Sequence, residues 1–334
     1  MPDKIIMDAH FDILCDVLYH RERGETKVLE NRFLPTLKMA GINVLVCSIF
    51  IDDCYLPEMA LRRALDQISA LKSELDESPD FFALCRDTKE ARCAVSEGKI
   101  ALFLSFEGVE PLGNDLALLR IFYDLGVRLV GLTWSRRNYA ADGSVFEPEY
   151  GPRYAGGLTR FGRLVVAEAQ RLGMVIDVSH LNDTGFFEVA DLVKGPFIAS
   201  HSDCRALCGA ARNLTDEQLA VLARHGGVTG MNACAMFSSD KKEERTPQKL
   251  LEHLDHVVRT AGPEHAGLGL DICECLSAFK AQALDNGFEE SDLFKDHIDA
   301  RKNFIDPIIE RYPEETADAI LGGNFMRVLE EVLG

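Results

Sequence analysis

No run in this 334-residue chain reaches the roughly 18 consecutive apolar residues of a membrane-spanning helix, so none is expected. The N-terminal segment MPDKIIMDAHFDIL carries charges inside a short apolar stretch and has no small-residue cleavage site. It is therefore not typical of a secretory signal. Together these absences predict a cytoplasmic protein.

Basic residues are scarce relative to acidic ones. The chain contains 36 Lys and Arg against 54 Asp and Glu, which gives a formal net charge of −18 at pH 7. Nucleic acids and anionic membrane surfaces attract basic proteins rather than acidic ones. We therefore expect neither of them as a partner.

The chain also lacks a Cys-x-x-Cys pair, although it contains ten cysteines. Its closest pairs, Cys204 with Cys208 and Cys273 with Cys275, have spacings that match structural zinc sites poorly. Without an export signal, the thiols are expected to stay reduced and to be buried as small hydrophobic side chains. We predict no structural disulfide.

What the chain does contain is an alternation of short β-rich apolar runs with longer segments of helical periodicity. This pattern is typical of repeated β-α units around a parallel sheet. Eight strands are predicted, at residues 5–12, 42–50, 100–107, 128–134, 174–180, 197–201, 227–232 and 267–271. Helices are predicted at 58–76, 88–97, 115–125, 159–172, 183–192, 216–224 and 247–260, with further helical segments, including 318–332, after the last strand.

The eight units predict an α/β fold, a (β/α)8 TIM barrel with additional C-terminal helices. Such barrels run to this length as one unit, and no linker, low-complexity tract or repeat divides the chain, so residues 1–334 are expected to form a single domain. Active sites of parallel barrels lie at the C-terminal ends of the strands. Polar residues at those ends are therefore the functional candidates.

Three candidate side chains end the first and third predicted strands. His10 and Asp12 alternate along the first strand, so they share a face and could bind one metal ion; ordinary hydrogen bonding at a polar strand end is the alternative. Glu107 closes an apolar strand, where a carboxylate is costly unless it is paired, protonated or bound to a cation. It could bridge two metal ions, but a salt bridge to a loop arginine fits this residue equally well.

Two histidines and an aspartate end later strands. His180 and His201 follow apolar runs, and neutral imidazole is a strong ligand for zinc and similar metals. A single buried histidine is more often a hydrogen-bonded structural residue, but two at equivalent positions favour metal binding. With the earlier candidates they predict two divalent cations about 3.5–4 Å apart around one activated water. Asp271, at the end of the eighth strand, suits a general base for hydrolysis of an amide or ester.

The remaining histidines do not fit this set. His253 and His256 lie three residues apart on a predicted helix, where a solvated face is expected rather than a metal site. No role is predicted for the others, His20, His225, His265 and His297.

An ordered series of segments runs through nearly the whole chain: DAHFD at 8–12, SFEG at 105–108, GLTW at 131–134, GLTRFGRLVVAEAQRLGMVIDVSH at 157–180, PFIASHSDCRAL at 196–207, ARNLTDEQLAVLARHGGVTGMN at 211–232, GLGLD at 267–271 and GGNFMRVLEEV at 322–332. The series resembles the membrane dipeptidase family, also called renal or microsomal dipeptidases, among the amidohydrolase-like metal-dependent barrels. Because the chain shows no export signal or anchor, it resembles the soluble bacterial branch.

This resemblance implies a centre of two divalent metal ions, most simply Zn²⁺. By position, His10 and Asp12 would bind one ion, His180 and His201 would bind the other, and Glu107 would bridge them. Glu107 would thereby also be part of the catalytic apparatus. The same five residues emerge from the strand-end argument.

The resemblance also implies substrate contacts: Arg212 would bind the free carboxylate of the substrate, and Asp271 would lie near the attacking water and the substrate amino group. Family members with well-defined dipeptidase activity carry a histidine after the Leu-Thr of the fourth strand, which is expected to steady the substrate carbonyl oxygen, where this chain has Trp134. Indole donates a hydrogen bond but carries no positive charge, so oxyanion stabilisation is expected to be weaker, or to come from Asn138 or Tyr139. Alternatively, Trp134 only packs the pocket wall.

The leading hypothesis is a zinc dipeptidase that acts on dipeptides with a free carboxylate, including those with a C-terminal D-residue, through a hydroxide bridging the two ions. A second hypothesis keeps the barrel and metals but changes the substrate to another small amide, ester or lactone, and Trp134 motivates it. A third is a metal-containing binding protein without catalysis, against which the complete ligand set and Asp271 argue. The resemblance further suggests a homodimer.

Overall fold

The strands of the molecule lie one after another around a barrel. The computed structural model describes residues 4–145, 156–286 and 292–334. Their strands are β1 Met7–Phe11, β2 Val44–Phe50, β3 Phe82–Leu84, β4 Ile100–Glu107, β5 Val127–Gly131, β6 Val175–Asp177, β7 Ile198–Ala199, β8 Val228–Met231 and β9 Ala266–Leu268. All pair in parallel, and eight follow the order β1-β2-β4-β5-β6-β7-β8-β9, so the predicted (β/α)8 barrel is confirmed.

β3 is a short strand that the sequence pattern did not predict. It pairs with the first residues of β4, whereas β5 pairs with β4 from Leu104 to Glu107, so β3 and β5 share one edge of β4. The other edge of β4 pairs with β2. β3 therefore extends the sheet at the N-terminal end of β4 but is not a ninth strand of the barrel.

The α-helices of the described residues are α1 Ile13–Arg21, α2 Leu34–Ala40, α3 Ala60–Glu77, α4 Thr88–Ser96, α5 Ala117–Leu125, α6 Arg160–Leu172, α7 Asp183–Leu192, α8 Asp216–Arg224, α9 Ala235–Ser238, α10 Pro247–Thr260, α11 Ser277–Asn286, α12 His297–Ala300, α13 Asp306–Arg311, α14 Glu314–Asp318 and α15 Asn324–Leu333. The last five are the additional C-terminal helices, as expected. The helix predicted at 318–332 is interrupted, because α14 ends at Asp318 and a π-turn precedes α15.

Capping residues explain why the middle helices match their predicted bounds closely. Thr159, Asn182 and Thr215 precede α6, α7 and α8, and each side chain accepts a hydrogen bond from the amide three residues on. α5 and α6 end at Gly126 and Gly173, whose φ values of 116° and 70° suit glycine. Both signals are local and therefore readable in the sequence.

The barrel interior is filled by apolar side chains. They form a cluster of their own: Met7, Ala9, Val44, Val46, Ala101, Phe103, Leu129, Val175, Ile198 and Val228, with Phe325, Met326, Val328 and Leu329 of α15. α15 contacts β6, β8, β9 and α4, and so crosses the N-terminal end of the barrel. With that end filled, the opposite end is left for polar side chains.

The barrel closes between β9 and β1 through the residues that follow β9. The Leu270 amide donates to Asp8 Oδ1 at 2.8 Å, and the Asp271 amide donates to the His10 carbonyl at 3.3 Å. All ten cysteines are free, which agrees with the absence of predicted disulfides. Across the described ranges, no helix is both long enough and apolar enough to cross a membrane.

Candidate metal centre

The acidic and imidazole side chains predicted at the strand ends converge at the C-terminal end of the barrel. They are His10 in β1, Asp12 directly after it, Glu107 at the end of β4, His180 after β6, His201 after β7 and Asp271 after β9. The first five are buried, with at most 5% of each residue exposed, and the Asp271 side chain is 16% exposed. Six such groups in one buried cluster demand a compensating interaction.

Glu107 lies between the imidazole rings. Its Oε1 is 3.0 Å from His180 Nε2 and 3.9 Å from His201 Nε2, whereas its Oε2 is 3.6 Å from His10 Nε2. His10 Nε2 is in turn 3.8 Å from Asp12 Oδ2. The two oxygens of Glu107 thus face different imidazoles, which is the arrangement that a bridging carboxylate requires.

A local irregularity of β1 turns His10 into the barrel. Ala9 belongs to the interior cluster, and neighbouring residues of a regular strand point to opposite faces. The pairing of β1 with β2 shifts register between Asp8 and Phe11, so His10 also turns inward and reaches Glu107. His10 and Asp12, which alternation was expected to place on one face, lie together in the cluster, with His10 Nε2 3.8 Å from Asp12 Oδ2.

Two buried atoms of the cluster have no hydrogen-bond partner among the described residues, His10 Nε2 and Glu107 Oε2. Each such atom costs roughly 1–3 kcal/mol. Ligand atoms lie within 4.8 Å of one another in two groups, His10 with Glu107 and His201, and His10 with Asp12 and Asp271. Imidazole nitrogens and carboxylate oxygens are the donors that zinc and similar divalent cations accept. The residues therefore fit a metal centre.

His180 and His201 are held with their Nε2 atoms facing each other at 2.9 Å. Ser200 Oγ donates to Asp177 Oδ2 at 2.5 Å, so the His201 Nδ1–H must donate to Ser200 Oγ, 2.6 Å away. This leaves a lone pair on His201 Nε2. His180 Nδ1 lies 2.7 Å from Ser135 Oγ and accepts from Arg212 Nε at 3.1 Å, so the neutral ring carries its proton on Nε2 and donates it to His201 Nε2; a metal ion would replace this proton. Two nitrogens on one tetrahedral zinc would be roughly 3.3 Å apart for Zn–N bonds of about 2.0–2.1 Å, close to this spacing.

The charge state of the cluster also suits a cation. Burial lowers the pKa of His180 and of His201 well below that of free imidazole, and the positive charge of Arg212 adds to the effect, so both rings are neutral. Burial opposes protonation of His10 as well, but the negative charge of Glu107 and its neighbours outweighs it and raises the pKa of His10 to about 10. Burial raises the pKa of Glu107 itself. A bound cation would replace the His10 proton and stabilise the ionised carboxylates.

Two of these residues have unusual backbone conformations. His180 and Asp271 have φ values of 68° and 53°, in the left-handed region that costs a non-glycine residue roughly 1–3 kcal/mol. Nearby, a Cβ at Gly230 or Gly269 would clash with the carbonyl oxygen of Ser200, so only glycine lets these strand ends approach. The unfavourable backbone conformations of His180 and Asp271 thus occur where their side chains join the polar cluster.

Arg212, from the loop between β7 and α8, lies beside both histidines and is 3% exposed. Its Nε donates to His180 Nδ1 at 3.1 Å, its Nη2 to the His201 carbonyl at 2.8 Å, and its Nη1 to Ser202 Oγ at 2.6 Å. Throughout the described part of the chain, no carboxylate forms a salt bridge with this guanidinium within 4.0 Å. A buried cation with only neutral partners is suited to an anionic ligand.

Trp134 stands at the edge of the cluster. Its ring centroid is 5.8 Å from that of His180 and 5.5 Å from that of Phe50, and the Arg136 guanidinium lies 5.2 Å from the indole centroid. Trp134 is thus packed against one of the candidate ligands, His180. The positively charged Arg136 guanidinium lies against the same indole ring.

Asn138 and Tyr139 are placed differently from the sequence expectation. Asn138 Nδ2 donates to the Leu132 carbonyl at 2.8 Å, and its Oδ1 accepts from the amides of Ala140 and Ala141. Both ends of the Asn138 amide therefore hold its own loop, and Tyr139 is 58% exposed. Neither position supports a role in stabilising an oxyanion.

The expectation for His253 was wrong. His253 is fully buried, with Nδ1 accepting from the Cys204 amide at 3.0 Å and Nε2 bonded to the Ser238 carbonyl at 2.8 Å. The helical spacing of His253 and His256 could not reveal this, because α10 packs that face against the loop after β7. His256 pairs instead with Asp216, at 2.7 Å.

Sequence reasoning also missed residues that orient the candidate ligands. Ser135 and Ser200 contact the Nδ1 atoms of His180 and His201, and Asn232 donates to Asp271 Oδ2 at 3.0 Å. All three lie within one residue of the end of a predicted strand, so a search for hydrogen-bonding residues at strand ends would have found them. Their chemistry alone is too common to single them out.

Two curated proteins are similar to part of this chain. A protein of Acinetobacter calcoaceticus, named an uncharacterized protein in the PQQ-III 3′ region, is 31% identical over 202 residues, 60% of this chain and 64% of the relative. Dipeptidase tcpJ of Claviceps purpurea (strain 20.1) is 28% identical over 274 residues, 82% of this chain. The matches span only 64% and 60% of the length of these two curated relatives.

A solved structure extends the likeness to the whole chain. The metallo peptidase from Rhodobacter sphaeroides, liganded with a phosphinate mimic of the dipeptide L-Ala-D-Ala, superposes with a TM-score of 0.84 at 26% identity. The match covers 98% of this chain and 99% of that one. A family model described as membrane dipeptidase (peptidase family M19) matches residues 1–333. The chain therefore belongs to the membrane dipeptidase family.

Proposed function

We propose that this protein is a zinc-dependent dipeptidase that hydrolyses dipeptides with a free carboxylate, including those with a C-terminal D-residue. The observation that carries the proposal is the buried cluster around Glu107, with unpartnered His10 Nε2 beside it and the buried Arg212 cation at its edge. The related Rhodobacter sphaeroides metallo peptidase, which holds a mimic of L-Ala-D-Ala, supports the substrate class.

Five side chains would hold two zinc ions. His10 and Asp12 would bind one, His180 and His201 the other, and Glu107 would supply one oxygen to each. The 2.9 Å separation of the His180 and His201 Nε2 atoms supports the second pair. Zinc held by these residues would supply an activated water as the nucleophile and polarise the scissile carbonyl.

Arg212 would bind the substrate carboxylate. Its guanidinium is buried and donates to three neutral groups, the His180 ring, the Ser202 hydroxyl and the His201 carbonyl, so a carboxylate would gain charge-assisted hydrogen bonds without displacing an existing ion pair. Because Arg212 also touches His180, the carboxylate would lie next to the ion held there. This position orients the peptide bond toward the metal centre.

Asp271 would transfer a proton from the attacking water to the departing amine. Its Oδ1 is 3.7 Å from His10 Nε2, so the carboxylate faces the metal centre, and its 16% exposure leaves it open to the substrate side. In this role Asp271 accepts a proton from the attacking water and passes it to the departing amine. A carboxylate that is close to the centre and partly exposed can serve both transfers.

Trp134 favours a second candidate, in which the same site acts on another small amide, ester or lactone. The indole packs 5.8 Å from the His180 ring, at the position where a charged group is expected to steady the substrate carbonyl oxygen. A more reactive substrate than a peptide needs less oxyanion stabilisation. The two candidates differ in whether the substrate must carry a carboxylate.

We further propose that the protein acts in the cytoplasm, as a single domain and as a homodimer. Ten free thiols support a reducing compartment.

The test is hydrolysis by the purified protein of a panel of L,L and L,D dipeptides, together with matched amides, esters and lactones that lack the free carboxylate. We expect turnover of dipeptides, its loss on chelation and its recovery with zinc, at about two ions per chain. Absence of dipeptide turnover after zinc has been restored would refute the dipeptidase. Turnover of only the carboxylate-free compounds would select the second candidate.

A further inference from the structure

Asn232 follows β8 and is 1% exposed, and it contacts the candidate general base. Its Nδ2 donates to Asp271 Oδ2 at 3.0 Å. Asn232 is itself fixed on two sides, since its amide N–H donates to Asp203 Oδ1 at 3.1 Å and its Oδ1 accepts from the Cys234 amide at 2.7 Å. The side chain is therefore a rigid support for whatever it holds.

The orientation of the Asn232 amide follows from these contacts. The Cys234 N–H is a donor, so the atom facing it must be the oxygen. The NH2 group then necessarily faces Asp271, a carboxylate that can only accept when ionised. A flipped amide would lose both hydrogen bonds, which fixes the assignment.

Asp271 needs such a support. It is the most exposed of the carboxylates in the cluster, it lies in a loop beyond the end of β9, and its φ is 53°. Rotation about the last side-chain torsion of an aspartate is soft, so its two oxygens exchange positions readily when nothing holds them. Because Asn232 holds Oδ2, Oδ1 stays turned toward His10 Nε2, 3.7 Å away.

We propose that Asn232 is a positioning residue that holds one oxygen of Asp271, so that the other remains directed into the metal centre. The inference rests on the proposed function, in which Asp271 moves the proton. Asn232 would act on the reaction through Asp271, which its Nδ2 contacts at 3.0 Å, whereas the main-chain carbonyl of His201 lies farther from the same Nδ2, at 3.5 Å, and Oδ1 is engaged by the Cys234 amide. Its removal should therefore impair the chemical step and leave substrate binding and metal binding in place.

Two variants test the proposal, Asn232→Ala and Asn232→Asp. The second keeps the size of the side chain and an oxygen for the Cys234 amide, but it replaces the NH2 donor with a carboxylate oxygen that repels Asp271 Oδ2 instead of holding it. We expect both to lower kcat on the order of 10- to 100-fold, as small misplacements of a reacting group do, with KM and zinc content nearly unchanged. If Asn232→Ala fails to fold, kcat, KM and zinc content are measured on Asn232→Asp alone.

The matched control is Asn324→Ala. Asn324 is also buried and its Nδ2 donates to the carbonyls of Pro263 and Ala266, both at 2.8 Å, near the opposite end of the barrel. Its loss removes equivalent hydrogen bonds without touching the metal centre, so stability should fall while kcat stays unchanged. A purely structural role of Asn232 would make the two alanine variants behave alike.

A double-mutant cycle with Asp271→Asn shows whether Asn232 acts through Asp271. We expect Asn232→Ala to cause no further loss of kcat once Asp271 is replaced, whereas an equal loss in both backgrounds overturns the proposal. If the wild-type protein cleaves no dipeptide, the proposed function fails. The crystal structure of Asn232→Ala then decides: a rotated Asp271 carboxylate supports the positioning role, and an unchanged one refutes it.

Discussion

His297 Nε2 lies 3.0 Å from Asp8 Oδ2, although 289 residues separate the two in the chain. Both residues are buried, at 1% and 0% exposure. The other oxygen of Asp8 accepts from the Leu270 amide at 2.8 Å and from the His10 amide at 3.3 Å. One carboxylate thus joins β1, the segment that leads from β9 to Asp271, and the C-terminal helix α12.

Replacing His297 with alanine should destabilise the protein, because it leaves a buried carboxylate oxygen of Asp8 without its donor. We expect the free energy of unfolding to fall by about 1.5–3 kcal/mol, measured by urea denaturation. His297→Gln should recover part of this loss, since its amide NH2 can donate to the same oxygen. His256→Ala, which breaks the partly exposed pair with Asp216, should cost less than about 1 kcal/mol. Equal losses at His297 and His256 would contradict the role of Asp8.

The sequence predicted the barrel and the candidate ligands for one reason: parallel strands end at the same side of a sheet, so polar residues at those ends meet. Glu107 illustrates this, because regular alternation after Ala101 and Phe103 turns it inward. His297 could not be found in this way. It lies on a four-residue helix, and its contact with Asp8 depends on how the C-terminal segment packs.

Elements without a periodic pattern were missed for a related reason. Helix α1 buries Asp16 and His20 together with its apolar residues, so it shows no polar face and no amphipathic pattern. β3 has only three residues, too few for alternation to be recognised. In both cases tertiary packing, rather than local sequence, determines the element.

Replacing Glu107 with glutamine should release metal. The variant keeps the size of the side chain but removes the negative charge between the His10 and His180 imidazoles. Metal affinity should fall by more than the roughly 10–100-fold that follows loss of a residue that merely orients a ligand. Metal content per chain after gel filtration, measured by mass spectrometry, checks this.

Glu110→Gln is the control for Glu107, since Glu110 is a buried glutamate three residues further on. Its Oε1 accepts from Arg136 Nε at 2.9 Å, away from the imidazoles. We expect its metal content to match that of the wild type. Full metal content in Glu107→Gln would show that the carboxylate is not a ligand.

Replacing Arg212 should impair binding of substrates that carry a carboxylate. Truncating one partner of a buried charge pair costs about 2–5 kcal/mol, so KM for a dipeptide should rise at least 30-fold in Arg212→Ala. The corresponding dipeptide amide, which has no carboxylate, should be cleaved equally by both proteins. The measurement is kcat and KM for each substrate pair.

Arg205→Ala is a control from the same loop, because Arg205 pairs with Asp183 at 2.7 Å on the outside of the barrel. It should leave both KM values unchanged. If Arg212→Ala raises KM by the same factor for the dipeptide and for its amide, Arg212 does not bind the carboxylate. The alternative substrate classes then gain support.

His253 should make stability depend on pH. Its Nδ1 accepts from the Cys204 amide and its Nε2–H donates to the Ser238 carbonyl, so the ring is held neutral. Burial lowers its pKa from 6.5 to about 4. Between these values the unfolded chain binds a proton that the folded protein does not, so this stabilisation is complete above pH 6.5 and is lost as the pH falls toward 4. The total is on the order of 3 kcal/mol.

Urea unfolding of metal-stripped wild type and His253→Gln at several pH values between 7 and 4.5 isolates this contribution, since all other titrating groups are shared. Glutamine can offer an oxygen or an NH2 group to these partners but does not titrate, so the variant should lose less stability on acidification than the wild type. If His253→Gln and the wild type lose stability in parallel over this range, His253 does not resist protonation in the folded protein, and its two hydrogen bonds do not hold the ring neutral.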